Sequence, residues 1–180
     1  MKHGCAARRS RQVALAVAAL AAIGFNTGCS PLTGNPGPPT GSPADTRTVL
    51  RVVDGDTLIV EPKERVRLIG VDAPESVASA RPVECMAREA SRFLSELLPT
   101  GTAVRLEYDD ERLDRYGRTL AYVWVNSTGL FVNAELVRRG FAQPLTIPPN
   151  VAHADQFADL ALEARRDDRG LWGSCPVPAR

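Results

Sequence analysis

Val52-Val53-Asp54-Gly55-Asp56-Thr57-Leu58-Ile59-Val60 and, after a polar turn, Val66-Arg67-Leu68-Ile69-Gly70-Val71-Asp72-Ala73-Pro74-Glu75 form the stretch from which the rest of this 180-residue chain is read. Two β-branched runs of strand length are joined by a charged turn, and the carboxylates Asp54, Asp56, Asp72 and Glu75 gather where extended chain stops. Gly55 and Pro74 supply bends at those ends, and several oxygen ligands on bending backbone are what a hard divalent cation requires. Alternation places Arg67, Ile69 and Val71 on one face and Val66, Leu68 and Gly70 on the other, so an arginine on a mostly apolar face must be directed at a partner. An isolated Asp-Gly-Asp-Thr reads most simply as a solvated hairpin turn. A second acidic cluster at a short, fixed distance turns the reading toward a site.

Upstream, Lys2, Arg8, Arg9 and Arg11 precede an apolar run over residues 13–25, a pattern expected of a signal peptide and too short to be a comfortable permanent span. Asn26-Thr27-Gly28-Cys29-Ser30 resembles a bacterial lipobox with Asn26 where an aliphatic residue is usual, so Cys29 is a lipidation candidate and simple cleavage the alternative. Residues 29–45, rich in Pro, Gly, Ser and Thr, cannot bury enough surface to fold and are expected to be a tether. The expected organisation is therefore a leader over 1–28, a tether over 29–45, one folded domain over 46–175 and a tail over 176–180. The leader holds four of the 22 basic residues and none of the 21 acids, so its removal turns a formal +1 into about −3. A polyanion would then have to be held by local arginines or a bound cation, because the field of the whole molecule would repel it.

With Cys5 in the leader and Cys29 accounted for, Cys85 and Cys175 remain. In an exported protein such a pair is most simply a disulfide, here closing a long loop with a model stabilisation of about 4 to 5 kcal/mol. Two cysteines without a second pair make too few ligands for a zinc site.

Strands are expected over residues 47–60, 65–71, 103–108 and 119–125, separated by helical spacing over 82–98 with Met86, Ala90, Phe93, Leu94 and Leu97 as its stripe. A short helix over 131–139 closes at Gly140, a proline-containing loop follows, and a last helix over 152–168 offers Phe157, Ala161 and Ala164 as one face. The charged segment over 109–118 reads as a hairpin loop, and Arg118 opens the strand after it as a second positioned arginine. His153 reads as a capping or structural residue, since no nucleophile signature accompanies it.

Taken in order, Asp54-Gly55-Asp56-Thr57, the segment Arg67 through Glu75, Asp114-Arg115-Tyr116-Gly117-Arg118 and Val132-Asn133-Ala134-Glu135-Leu136-Val137-Arg138-Arg139-Gly140 resemble the staphylococcal nuclease family over nearly all of the expected domain. The resemblance implies an α+β fold, an OB-fold-type five-stranded β-barrel with three α-helices. It implies Ca2+ held by Asp56, Asp72 and the main-chain oxygen of Ala73, with Asp54 acting through water. Glu75 matches the general base, Arg67 and Arg118 match the arginines that grip the phosphate, and Arg115 and Tyr116 are the expected substrate contacts. Cys85 and Cys175 resemble a pair found in exported relatives. Two tyrosines that flank the nucleotide in the best-known member fall at Leu145 and Ile147 here, which removes aromatic stacking.

The implied activity is calcium-dependent hydrolysis of DNA and RNA to 3′-phosphate products by an exported monomer, secreted or held at a membrane only through a lipid on Cys29. The competing reading is a non-catalytic OB-type module that binds nucleic acid or a partner. A third, a structural calcium site, gives Arg67 and Arg118 nothing to do.

Overall fold

The computed structural model describes residues 45–75 and 83–176. The expected leader, Cys29 and the expected tether up to residue 44 lie outside the described residues, as do Pro82 and the end of the tail, while Asp45, read as the last residue of the tether, opens the first strand.

Five strands close the barrel: β1 (Asp45–Asp54), β2 (Thr57–Val60), β3 (Glu64–Leu68), β5 (Ala103–Glu107) and β6 (Thr119–Val125), in the order β1-β2-β3-β6-β5. Closure depends on the length of β1. Its first half, residues 45–48, pairs with β5, while residues 49–54 pair with β2 across two register irregularities that turn the strand. β3 and β6 pair in parallel and the other neighbours are antiparallel. Val49, Leu58, Val60, Val66, Leu68, Val104 and Val123 fill the interior.

Two expectations from the opening stretch need correction. The strand expected over 47–60 is two strands folded back at Gly55-Asp56, because a Cβ on Gly55 would fall against the side chains of Ala73 and Ala90 and only glycine lets the turn approach them. The strand expected over 65–71 ends at Leu68. Gly70 adopts φ +75, which breaks the alternation, and Ile69 and Val71 are buried while Arg67 is partly exposed. The chain resumes as β4 (Val71–Asp72), paired with β7 (Gln143–Pro144), a two-residue strand lying where the sequence reads as loop.

Helix α1 (Ala87–Leu97) starts five residues later than its periodicity suggests, because Met86 sits at φ 67 in left-handed backbone that a helix cannot include. Ala87, Ala90 and Leu94 are buried along it, with Phe93 and Leu97 packed at the edge of the core. Helix α2 (Val132–Arg138) falls within its expected span, α3 (Ala154–Arg166) buries its expected face of Phe157, Ala161 and Ala164, and a single turn, α4 (Leu171–Ser174), ends the fold. Gly140 takes φ +72 after α2, as a C-terminal cap requires. Cys85 and Cys175 are bonded across 90 residues with their Cα atoms 5.9 Å apart. His153 makes no capping bond. It packs edge-on to Tyr122 and Phe131, and its Nε2 lies 3.2 Å from Glu107 Oε1, a structural placement.

No helix among the described residues is long and apolar enough to cross a membrane.

Candidate active site

The β1–β2 turn, β4 and the start of α1 meet at one end of the barrel. Asp54 Oδ1 accepts the backbone N–H of Asp56 at 3.2 Å, which tightens the turn and aims Asp56 inward. Asp56 is only 7% exposed. Its Oδ2 accepts the N–H of Ala73 at 2.9 Å, tying the β1–β2 turn to the segment that carries Asp72 and Glu75, and its Oδ1 accepts the Thr57 hydroxyl at 3.1 Å. Burial pushes the Asp56 carboxyl up to about 6, against the opposing pull of the Arg67 guanidinium.

Arg67 is the hub. Its Nη1 donates to the carbonyls of Leu68 and Val71, both at 2.8 Å, across the break at Gly70. Its Nη2 stands between two carboxylates, 3.1 Å from Asp56 Oδ2 and 3.2 Å from Asp72 Oδ1. Asn133 supports the same bend from below. This fully buried side chain donates from Nδ2 to the Ile69 carbonyl and accepts the Val123 N–H on Oδ1, both at 2.9 Å, keying α2 to β6 and to the turn before Asp72.

Arg118 comes from the other side. It lies one residue before β6, and not within it, because its N–H bonds to Asp114 Oδ1 at 2.9 Å in place of a strand partner. Asp114 also accepts the N–H of Tyr116 at 2.8 Å and holds Arg118 Nε at 2.6 Å. Burial works against ionisation of Asp114, but these bonds outweigh it and hold the carboxyl below its ordinary value. Tyr116, 68% exposed, is flanked by guanidinium groups, with Arg115 at 4.8 Å and Arg118 at 5.6 Å from its ring centre.

Two cavities adjoin along this wall. The smaller, about 300 Å³, is faced by Asp54, Asp56, Asp72, Glu75 and Glu84 together with Arg67 and Arg118. The larger, about 540 Å³, shares both arginines and is lined on its apolar side by Leu113, Tyr116, Leu145 and Ile147. Among the described residues no three His, Cys, Asp or Glu side chains stand together as a ready metal cage. The Nη2 of Arg67 lies between two of the acids expected to form one.

The family model of the staphylococcal nuclease homologue matches residues 65–174. The chain belongs to the staphylococcal nuclease family. It is 42% identical over 127 residues to the thermonuclease of Staphylococcus intermedius, an overlap of 69% of this chain and 74% of that one. It is 39% identical over 132 residues to the thermonuclease of Staphylococcus hyicus, covering 72% and 76%. Endonuclease YncB of Bacillus subtilis (strain 168) is 36% identical over 130 residues, covering 69% and 60%. Within this staphylococcal nuclease fold, Asp54 and Asp56 precede the span matched by the family model, and the acidic cavity brings them together with Arg67, Asp72, Glu75 and Arg118.

Leu145 and Ile147, 37% and 61% exposed, wall the larger cavity with aliphatic groups, leaving Tyr116 as the aromatic ring that lines it among the described residues. Sequence reasoning assigned no part to Glu84, whose carboxylate Oε2 accepts the N–H of Glu75 at 3.0 Å. It also assigned none to Asn133. Glu84 gave one signal, its place beside a cysteine that a disulfide would fix. Asn133 gave one in being a polar residue on an otherwise apolar helix face.

Proposed function

We propose that this chain is a calcium-dependent endonuclease that hydrolyses DNA and RNA to 3′-phosphate products, with Glu75 as general base and Arg67 and Arg118 stabilising the phosphoryl transition state. The observation that carries the proposal is the shared wall, in which the same two arginines face both the acidic cavity and the apolar cleft. A phosphodiester seated between them would have carboxylates on the side of the attacking water and an apolar surface on the side of a nucleotide base. The names of the relatives, thermonuclease and endonuclease, support the same reaction class.

The residues fit a hard cation. Asp56 is a buried carboxylate whose charge its protein neighbours compensate too little to hold it at its ordinary acidity, and Asp54 and Asp72 add oxygen to the same cavity. Asp56, Asp72 and the main-chain oxygen of Ala73 would hold calcium, with Asp54 acting through water. Bound calcium would neutralise charge on the phosphate and polarise it toward attack.

The residues of the chain do the rest. Glu75, as carboxylate, takes a proton from water as the new oxygen–phosphorus bond forms in line with the departing 5′ oxygen. As the bond from phosphorus to the 5′ oxygen breaks, that oxygen takes a proton from solvent water and the 3′ side keeps the phosphate. Charge gathers on the equatorial oxygens, where the forked donors of Arg67 and Arg118 meet it. A phosphate oxygen competes for Arg67 Nη2 with Asp56 and Asp72, while Nη1 stays on its two carbonyls and keeps the side chain placed. Arg115 and Tyr116 border the cleft as substrate contacts.

An exported enzyme fits this chemistry, with residues 1–28 as leader, 29–45 as tether and Cys29 as the lipidation candidate. Extracellular calcium is plentiful, and the Cys85–Cys175 bond suits an oxidising compartment. One chain supplies both cavities, so a monomer suffices.

The test is cleavage of single-stranded DNA, duplex DNA and RNA by the purified chain, with calcium and then with a chelator. Calcium-dependent release of 3′-phosphate ends is expected. A folded protein that cleaves nothing with any divalent ion would replace the proposal with the binding module, to be measured by nucleic-acid affinity.

A further inference from the structure

We propose that Glu84 is a positioning residue for Glu75, and that the Cys85–Cys175 disulfide holds it in place. The proposal rests on the assignment of Glu75 as general base. The two residues are clasped reciprocally: Glu84 Oε2 accepts the Glu75 N–H at 3.0 Å, and the Glu84 N–H donates to the Glu75 carbonyl at 3.3 Å. Both face the acidic cavity. Placing two carboxylates side by side next to other acids is electrostatically unfavourable, so a glutamate there calls for a reason, and the hydrogen bond to the backbone supplies one.

Glu75 needs such a hold. Buried Pro74 fixes φ immediately before it, and Ala73 is bonded to Asp56, so the chain is well determined up to Pro74. Glu75 itself is exposed, and the clasp with Glu84 ties both its N–H and its carbonyl to the turn before α1. Glu84 is fixed in turn from two directions. Its carbonyl accepts the N–H of Ala87 at the start of α1, and Cys85, the next residue, is bonded to Cys175 just after α4. The disulfide therefore ties the peptide of the base to the far end of the sequence. A base displaced by about 1 Å can lose on the order of a hundredfold in rate, so a clasp one residue from a covalent anchor matters to turnover more than to folding.

The experiment compares full-length wild type, Glu84→Ala, Glu84→Gln and Cys85→Ser in calcium, measuring kcat, KM and hydrogen exchange of the Glu75 amide by NMR. Glu84→Ala is expected to lower kcat roughly tenfold to a hundredfold with KM nearly unchanged and to abolish protection of the Glu75 amide. Glu84→Gln keeps an oxygen acceptor and is expected to restore both to within about threefold, while Cys85→Ser lies between. Wild-type kcat in Glu84→Ala overturns the proposal. So does a Glu84→Gln protein as impaired as Glu84→Ala, which would make the charge of Glu84 the active feature. Absence of cleavage by wild type overturns the nuclease reading itself and removes the base that Glu84 would position.

Discussion

Arg67 makes four short contacts, two to carbonyls on either side of the Gly70 bend and two to the carboxylates of Asp56 and Asp72. Its residue type and its distance from Asp72 were visible in the sequence. That one Nη atom bridges two acids was not, because it takes both the pairing of Thr57 with Arg67 and the bend at Gly70 to bring Asp56 and Asp72 to the same guanidinium. The same holds on the other side, where the charged segment that reads as a hairpin loop contains an ordered turn wound around Asp114. Replacing Glu75 by Gln is expected to reduce kcat by roughly 10²- to 10⁴-fold, since the amide accepts no proton from water, while the urea midpoint stays at the wild-type value. Initial rates and a denaturation curve on one preparation check both halves. Asp114→Ala removes the acceptor of two backbone N–H groups and the partner of Arg118 Nε. A loss of about 1 to 3 kcal/mol in urea unfolding is expected, together with a fall in kcat as Arg118 loses its fixed direction. A stable protein with unchanged turnover would show that Arg118 is placed by other means.

Elements whose apolar residues recur over several turns or alternations were legible: β5, β6, α2 and α3 lie within a residue or two of their expected spans. Those that failed did so for local reasons that periodicity does not carry. Helix α1 was read too early because Met86 and Cys85 sit in a turn before it, and β7 was missed because two residues, one of them proline, form a strand only when β4 lies beside them. The bend at Gly70 matters most for function, since it converts a continuing strand into a corner with Arg67 on one side and Asp72 on the other. Its φ is +75, and an added Cβ would meet the ring of Phe157 on α3 closer than real contacts allow. Gly70→Ala therefore combines left-handed strain with overpacking and is expected to cost about 2 to 4 kcal/mol in urea unfolding. A loss below about 1 kcal/mol would mean that α3 yields at this contact.

Across the whole molecule, acid should unfold the protein through carboxylates the fold holds ionised. Asp109 and Glu135 both titrate below their ordinary values of 3.8 and 4.5, because burial, which acts upward, is outweighed by hydrogen bonds: from Ala152, Tyr122 and Asp110 to Asp109, and from Arg139 and Arg138 to Glu135. A depressed folded-state pKa contributes stability that is complete above the unfolded value and is lost as pH falls through the folded one. Equilibrium unfolding should therefore show this contribution declining from about pH 5 downward, and Glu135→Gln should flatten the decline. A slope unchanged by that substitution would assign acid sensitivity elsewhere. The sequence by itself determined the fold class and singled out most of the charged residues that face the acidic cavity, because strand alternation, helical spacing and four ordered motifs are local patterns along the chain. Only the tertiary structure decided which atoms meet. Pairing β2 with β3 and bending the chain at Gly70 bring the Asp54–Asp56 turn to Arg67 and Asp72, and the turn before α1 sets Glu84 beside Glu75 with the Cys85–Cys175 bond anchoring the next residue, contacts that periodicity along the chain does not specify.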